Sequence, residues 1–147
     1  MISIRRYQPR DLPRILKIEN QSFGADAWPA ELFREFGEEC PEMFLVARVG
    51  LRVAGYSITC TAKNAAELAS IAVLPKFRGR GVASALLARS IRAVRRRPAT
   101  ALWLMVRRDN HAAIDLYRRF GFVRTATVYG YYEDGAVAWR MRLELSK

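Results

Sequence analysis

The stretch SIAVLPKFRGRGVASALL, residues 70–87, constrains this chain more than any other. Its first half is almost continuously apolar, as in a strand buried on both faces. Pro75 then breaks the ladder. From Gly81 the apolar period becomes helical: Val82, Ala83, Leu86, Leu87, Ile91 and Val94 turn inward, and Arg89, Arg92, Arg95 and Arg96 outward. A strand, a glycine-arginine turn and a helix in direct succession call for a second strand after the helix. ALWLMV supplies it beyond Pro98, so residues 67–106 are the natural place for a parallel strand pair.

The remaining elements follow from local pattern. ISIRRYQ alternates as a short strand, and Asp11 stands where it would cap a helix carrying Leu12, Ile15, Leu16 and Ile18. A second helix follows Trp28-Pro29, with Leu32, Phe33 and Phe36 as its apolar stripe. MFLVARV and RVAGYSITCTA form a hairpin around Gly50-Leu51, and ELASIAVL is a central strand. Asn110 to Phe120 is a short helix stopped by Gly121, and FVRTATVYGYY pairs with AVAWRMRLEL. The expected order is β-α-α-β-β-β-α-β-α-β-β, a mixed α/β fold in one domain over residues 1–147.

No run of about eighteen apolar residues occurs, and the N-terminus lacks the apolar block of a secretory signal. The expectation is a soluble cytoplasmic protein with no membrane partner. Cys40 and Cys60 lack CxxC spacing, and His111 is the single histidine, so neither a metal nor a disulfide is expected. The net charge of +11 alone would suggest a polyanion as partner. Its distribution is uneven. Between Glu19 and Glu42 seven acidic residues stand against one base, Arg34, whereas Lys76 to Arg97 holds eight bases and no acid. Arginine-rich solvated surface explains the basic stretch as well as a ligand does.

The turn Arg78-Gly79-Arg80-Gly81-Val82-Ala83 opens a helix, where free backbone N–H groups and the helix dipole suit a pyrophosphate. It matches neither GxxxxGK[ST] nor GxGxxG, which disfavours nucleotide hydrolysis and dinucleotide binding. An arginine-rich helix start with glycines for geometry alone is the plain alternative. SIAVLPKFRGRGVASALL together with LWLMVRRDNHAAIDLYRRFGF resembles the GNAT superfamily of acetyl-CoA-dependent N-acetyltransferases, whose signature is R/Q-x-x-G-x-G/A. IENQSF and YGYYEDGAVAWRM extend the similarity to ribosomal-protein-alanine N-terminal acetyltransferases.

The resemblance implies a mostly antiparallel sheet with a splayed parallel pair, and acetyl-CoA as cofactor. The backbone of Ile71, Ala72 and Val73 would pair with the pantetheine arm. Arg78, Gly79, Arg80, Gly81, Val82, Ala83 and Ser84 would hold the pyrophosphate. Asn110 matches a residue that touches the cofactor, although it could equally be a helix cap. Tyr117, seven residues later, matches the tyrosine that faces the sulfur, where a phenol can protonate the leaving thiolate.

For the base, the ribosomal-protein-alanine enzymes carry a glutamate where this chain has Met105, which accepts no proton. His111 lies out of register, on the following helix. Glu67, eleven positions before Arg78, matches the glutamate of histone-type relatives, and partial burial would raise its pKa toward a useful range. Asp26, or proton loss to solvent, is the alternative.

The acceptor would meet Phe23, Asp26 and Trp28 on the first interhelix loop and Tyr131 and Tyr132 near the end of the chain, unless those aromatics only cover the core. The expected reaction is direct acetyl transfer to an amine, a protein or peptide N-terminus first. A lysine or small polyamine acceptor, or a non-catalytic acyl-CoA-binding module, is the alternative. Nucleic acid is not the favoured partner, and either a monomer or a homodimer is compatible with the sequence.

Overall fold

The computed structural model describes residues 1–145. In chain order the elements are β1 (Ile2–Arg6), α1 (Leu12–Phe23), α2 (Ala30–Glu39), β2 (Phe44–Val49), β3 (Arg52–Ala62), β4 (Ala65–Val73), α3 (Val82–Arg95), β5 (Ala101–Arg107), α4 (His111–Arg119), β6 (Val123–Val128) and β7 (Ala138–Glu144). The seven strands form a mixed sheet in the order β1-β2-β3-β4-β5-β7-β6. The pair β4–β5 is parallel, while β1–β2, β2–β3, β5–β7 and β6–β7 are antiparallel. Element order and sheet type are those expected from the sequence.

The chain divides into two compact units. The first comprises residues 1–60 and 68–93. Its core joins Ile15 and Ile18 of α1, Phe33 of α2, Phe44 and Val46 of β2, Tyr56 and Ile58 of β3, and Leu86 of α3. Each large side chain so buried is worth about 1.5–3 kcal/mol. Aromatic rings run through this core: Phe33 meets Tyr56 edge-on at 5.7 Å and Trp28 stacks on Phe36 at 5.3 Å. Gly55 of β3 is required by close packing, since a Cβ there would lie 2.7 Å from the Ala72 carbonyl oxygen.

Two local expectations are corrected in this unit. Asp11 occupies the cap position of α1 but makes no side-chain cap bond to that helix. Its buried carboxylate instead accepts Arg5 Nη1 at 2.7 Å, Arg5 Nη2 at 2.8 Å and the Gln8 amide at 2.8 Å, tying β1 to the turn that leads into α1. The fork of Arg5 outcompetes the helix amides for the same oxygens. Cys40 and Cys60 form a disulfide, with Cα atoms 5.6 Å apart. Cys40 caps the end of α2 and Cys60 is the last β3 residue within this unit, a proximity that twenty residues of separation did not disclose.

The second unit comprises residues 61–67 and the chain from Val94 onward. Here β5 pairs with β7 over seven residue pairs from Ala101↔Glu144 to Arg107↔Ala138. The parallel ladder to β4 has three pairs and ends at Glu67↔Trp103. Helix α4 carries Ile114, Leu116 and Tyr117 on its buried side. The strand expected to run to Tyr132 stops at Val128, where Gly130 takes a φ of 66°, and Tyr129, Tyr131 and Tyr132 belong to the β6–β7 loop. Among the described residues no helix is long and apolar enough to cross a membrane.

Candidate active site

In the first unit, the turn between β4 and α3 is built around a buried Phe77, with Lys76 and Arg80 over its ring at 5.4 and 5.5 Å. Arg78 folds back: Nε donates to the Val73 carbonyl at 3.1 Å and Nη2 to Ser22 Oγ at 3.4 Å. Gly79 and Gly81 have φ of 76° and 83°, in the left-handed region that L side chains rarely adopt. Nothing lies within 4 Å of where a Cβ would sit on either glycine. The first helical bond runs from Ala85 N to the Gly81 carbonyl at 3.0 Å. The amides of Val82, Ala83 and Ser84 therefore stand in the first turn of α3, ahead of any intrahelical acceptor.

This exposed, glycine-lined backbone at a helix start has the donor chemistry a pyrophosphate requires. Of the expected cofactor residues, Val82 can contribute only its amide, because its side chain is buried against Gly55. Ala72 and Val73 are likewise buried, so β4 offers backbone groups rather than side chains.

The same unit contains a feature the sequence reading missed. Glu19 is 1% exposed, and its carboxylate accepts the Trp28 amide at 2.9 Å and the Tyr56 hydroxyl. Burial raises the Glu19 carboxyl above its ordinary range, against the two hydrogen bonds. The pair anchors the loop after α1 to β3. Helical spacing from Ile15 puts Glu19 on the buried stripe, the signal that could have revealed it. Beside it, Trp28 packs on α2, Phe23 is exposed, and Asp26 is half-buried in the short helical turn Gly24–Asp26.

In the second unit, register decides what meets what. Glu67 is opposite Trp103, and Met105 is opposite Arg140, so these four residues share one face of the sheet. Burial pushes the Glu67 carboxyl above its ordinary value, and Arg140 pulls it partway back. The Arg140 guanidinium lies 4.4 Å from the Trp103 ring centroid. Tyr131, 50% exposed, is raised by burial and then by the Glu67 charge.

Tyr131 meets Tyr132 edge-on at 5.0 Å, and Tyr132 lies under the Arg107 guanidinium at 4.3 Å. Tyr117, 6% exposed, packs on Phe122 at 5.7 Å. Burial, with Tyr132 adding to it, pushes its phenol above the ordinary range, so it carries its proton at neutral pH. The electrostatic and ring contacts thus connect Glu67, Tyr131, Tyr132 and Tyr117 in one group. Asn110 sits at the start of α4, where its Oδ1 accepts the Ala113 amide at 3.2 Å, a helix cap. His111 is exposed.

A half-buried carboxyl with raised affinity for protons and a buried, protonated phenol have the chemistry of a base and an acid, and both belong to the second unit. A helix start suited to pyrophosphate stands in the other. Residues 12–122 match the acetyltransferase (GNAT) family, and the chain belongs to that family. It is an acetyl-CoA-dependent N-acetyltransferase.

The chain is 31% identical over 155 residues to an N-alpha-acetyltransferase of Sulfurisphaera tokodaii, covering 97% of this chain and 92% of the other. It is 35% identical over 149 residues to an uncharacterized protein of Mycobacterium leprae, where 97% of this chain spans 41% of that longer protein. The crystal structure of the ribosomal-protein-S18-alanine N-acetyltransferase from Escherichia coli superposes with a TM-score of 0.87 at 32% identity, covering 100% of this chain and 96% of the other.

Proposed function

We propose that the chain acetylates the α-amine of a protein or peptide N-terminus, working as one domain over residues 1–147 in the cytoplasm. The observation that carries the reading is the Glu67–Tyr131–Tyr132–Tyr117 group: proton acceptor, aromatic loop and proton donor within one unit. Similarity to an N-alpha-acetyltransferase and to the S18-alanine enzyme supports the acceptor class.

Acetyl-CoA supplies an activated acetyl thioester. The amides of Gly79 to Ser84 bind its pyrophosphate, with Arg78 holding the turn onto Val73, and the β4 backbone at Ile71 to Val73 orients its arm. Asn110 keeps its carbonyl for the α4 cap, which leaves the amide Nδ2 as its donor toward the cofactor. Glu67 accepts the ammonium proton, directly or through a water, because an ammonium has no lone pair with which to attack. Tyr117 gives its proton to the departing thiolate. Phe23, Asp26 and Trp28 on one loop, and Tyr131 and Tyr132 on the other, line the path of the acceptor. No covalent enzyme intermediate is invoked, so amine and thioester meet in one ternary complex. A cytoplasmic setting bears on the Cys40–Cys60 bond, since that compartment keeps most thiols reduced.

Free-thiol release from acetyl-CoA, followed over peptides differing in their first residues with lysine side chains and polyamines as controls, tests the reading. Release is expected with free peptide N-termini and not with N-terminally blocked ones. Tyr117→Phe should lower turnover about ten- to a thousandfold with acetyl-CoA affinity preserved. Turnover on polyamines or lysine side chains alone would overturn the N-terminal assignment.

A further inference from the structure

Arg140 stands apart from the other arginines on its face of the second unit. Antiparallel partners directly opposite one another point the same way, so Arg107, Arg140 and Arg142 share a sheet face with Glu67, Trp103 and Met105. Two of these arginines are committed: Arg107 to Asp134 at 3.1 Å and Arg142 to Glu144 at 2.7 Å. Among the described residues Arg140 has no carboxylate within salt-bridge distance. Its guanidinium lies 4.4 Å from the Trp103 ring centroid, which fixes a long side chain that would otherwise lose about 2 kcal/mol of rotamer freedom on binding a ligand. The residue remains exposed to solvent. Glu67 is its electrostatic neighbour, and Glu67 itself is opposite Trp103.

The face therefore presents a positive and a negative pole side by side, held by one tryptophan. An acceptor whose ammonium lies at Glu67 brings its next substituents toward Arg140. A cationic substituent there meets a like charge, whereas a carboxylate meets a preorganised planar donor without giving up an existing partner. We infer that Arg140 is a specificity-determining residue, selecting acceptors that carry a carboxylate close to the amine to be acetylated. This rests on the reading of Glu67 as the group that meets the amine. The carboxylate has two sources: the side chain of Asp or Glu at the first or second position of a peptide, or the α-carboxylate of a free amino acid.

The test compares kcat/KM for peptides beginning Ala-Asp, Asp-Ala, Ala-Ala and Ala-Lys, and for free glutamate against its α-amide, in the wild type and in Arg140→Gln, Arg140→Lys and Arg140→Glu. The wild type should favour Ala-Asp over Ala-Lys by about tenfold or more at low ionic strength, with the margin shrinking in about 1 M salt. Arg140→Gln should bring the ratio to within about twofold, Arg140→Lys should keep most of it, and Arg140→Glu should reverse it. Thermal melting of each variant separates a folding defect from a change in preference, and the retained preference of Arg140→Lys covers a glutamine variant that melts early.

A carboxylate preference confined to peptides assigns the side-chain source. One confined to free amino acids assigns the α-carboxylate, upholds Arg140 and overturns the N-terminal reading. Peptide acetylation with a charge preference unmoved by Arg140 substitution overturns the inference and leaves the N-terminal reading standing. A loss confined to acetyl-CoA affinity, or no turnover with any amine, also overturns it.

Discussion

Glu67 owes its proposed chemistry to a balance between two effects at one residue. Burial raises its affinity for a proton, and the Arg140 charge on the same face opposes that rise. The result is a carboxyl above its ordinary value, while a free α-amine loses its own proton at about pH 8. A base is needed only where the acceptor is protonated, so the sign of the pH dependence follows. The rate ratio of Glu67→Gln to wild type should be lowest in the window above the Glu67 pKa and below about pH 8. It should climb toward unity as the amine becomes neutral in solution. Below the Glu67 pKa the wild type also loses its base and the two rates converge. Steady-state rates from about pH 5 to 10 check this, and a flat ratio removes Glu67 from the role in favour of Asp26 or solvent. Met105→Glu places a carboxylate opposite Arg140 and should partly restore the Glu67→Gln rate if proton removal is the deficit.

At the scale of elements, the β4–α3 turn carries the cofactor reading through its backbone. Gly81 has a φ of 83°, so any side chain there is strained, even though open space surrounds the position. That separates two effects of Gly81→Val. The substitution should cost about 1–3 kcal/mol of stability from backbone strain alone. It should also weaken acetyl-CoA binding beyond what the fraction unfolded explains, because the new side chain projects into the space a phosphate would use. Calorimetric titration with acetyl-CoA on the folded variant measures the second effect; unchanged affinity would remove the pyrophosphate from this turn. Arg78 works at the same scale, since its bond to the Val73 carbonyl joins the end of β4 to the start of the turn.

Over the whole molecule, the one covalent crosslink lies in the first unit. Cys40–Cys60 closes a loop with a sequence separation of 20, joining the end of α2 to β3. In the chain-entropy account a loop of this length is worth about 3 kcal/mol. For a chain of this size that corresponds to a lowering of Tm of roughly 5–10 °C on reduction. Scanning fluorimetry with and without reductant should show that shift, and Cys60→Ser should melt at the reduced temperature under both conditions. Equal melting of oxidised and reduced wild type would show that the bond contributes nothing to stability.

The order of the elements and the position of the glycine-arginine turn were determined by the sequence alone, because both rest on local periods. The strand pattern of ELASIAVL, the helical one from Gly81, and the residues around the turn are each set within a few neighbours. Glu67 and Tyr117 were legible as candidates through the family resemblance, which their spacing from Arg78 and Asn110 matches. Tertiary structure decided what no local window contains. The pairing of β5 with β7 brought Arg140 opposite Met105, thirty-five positions earlier, and so set a guanidinium beside Glu67. Asp11 was drawn from its helix to Arg5, Cys40 was brought to Cys60, and Glu19 was closed in by Tyr56 and Trp28. The physical reason is common to all of these: a charge or a thiol acts on whatever lies within a few ångströms, and register and packing choose that neighbour after the local conformation is already set.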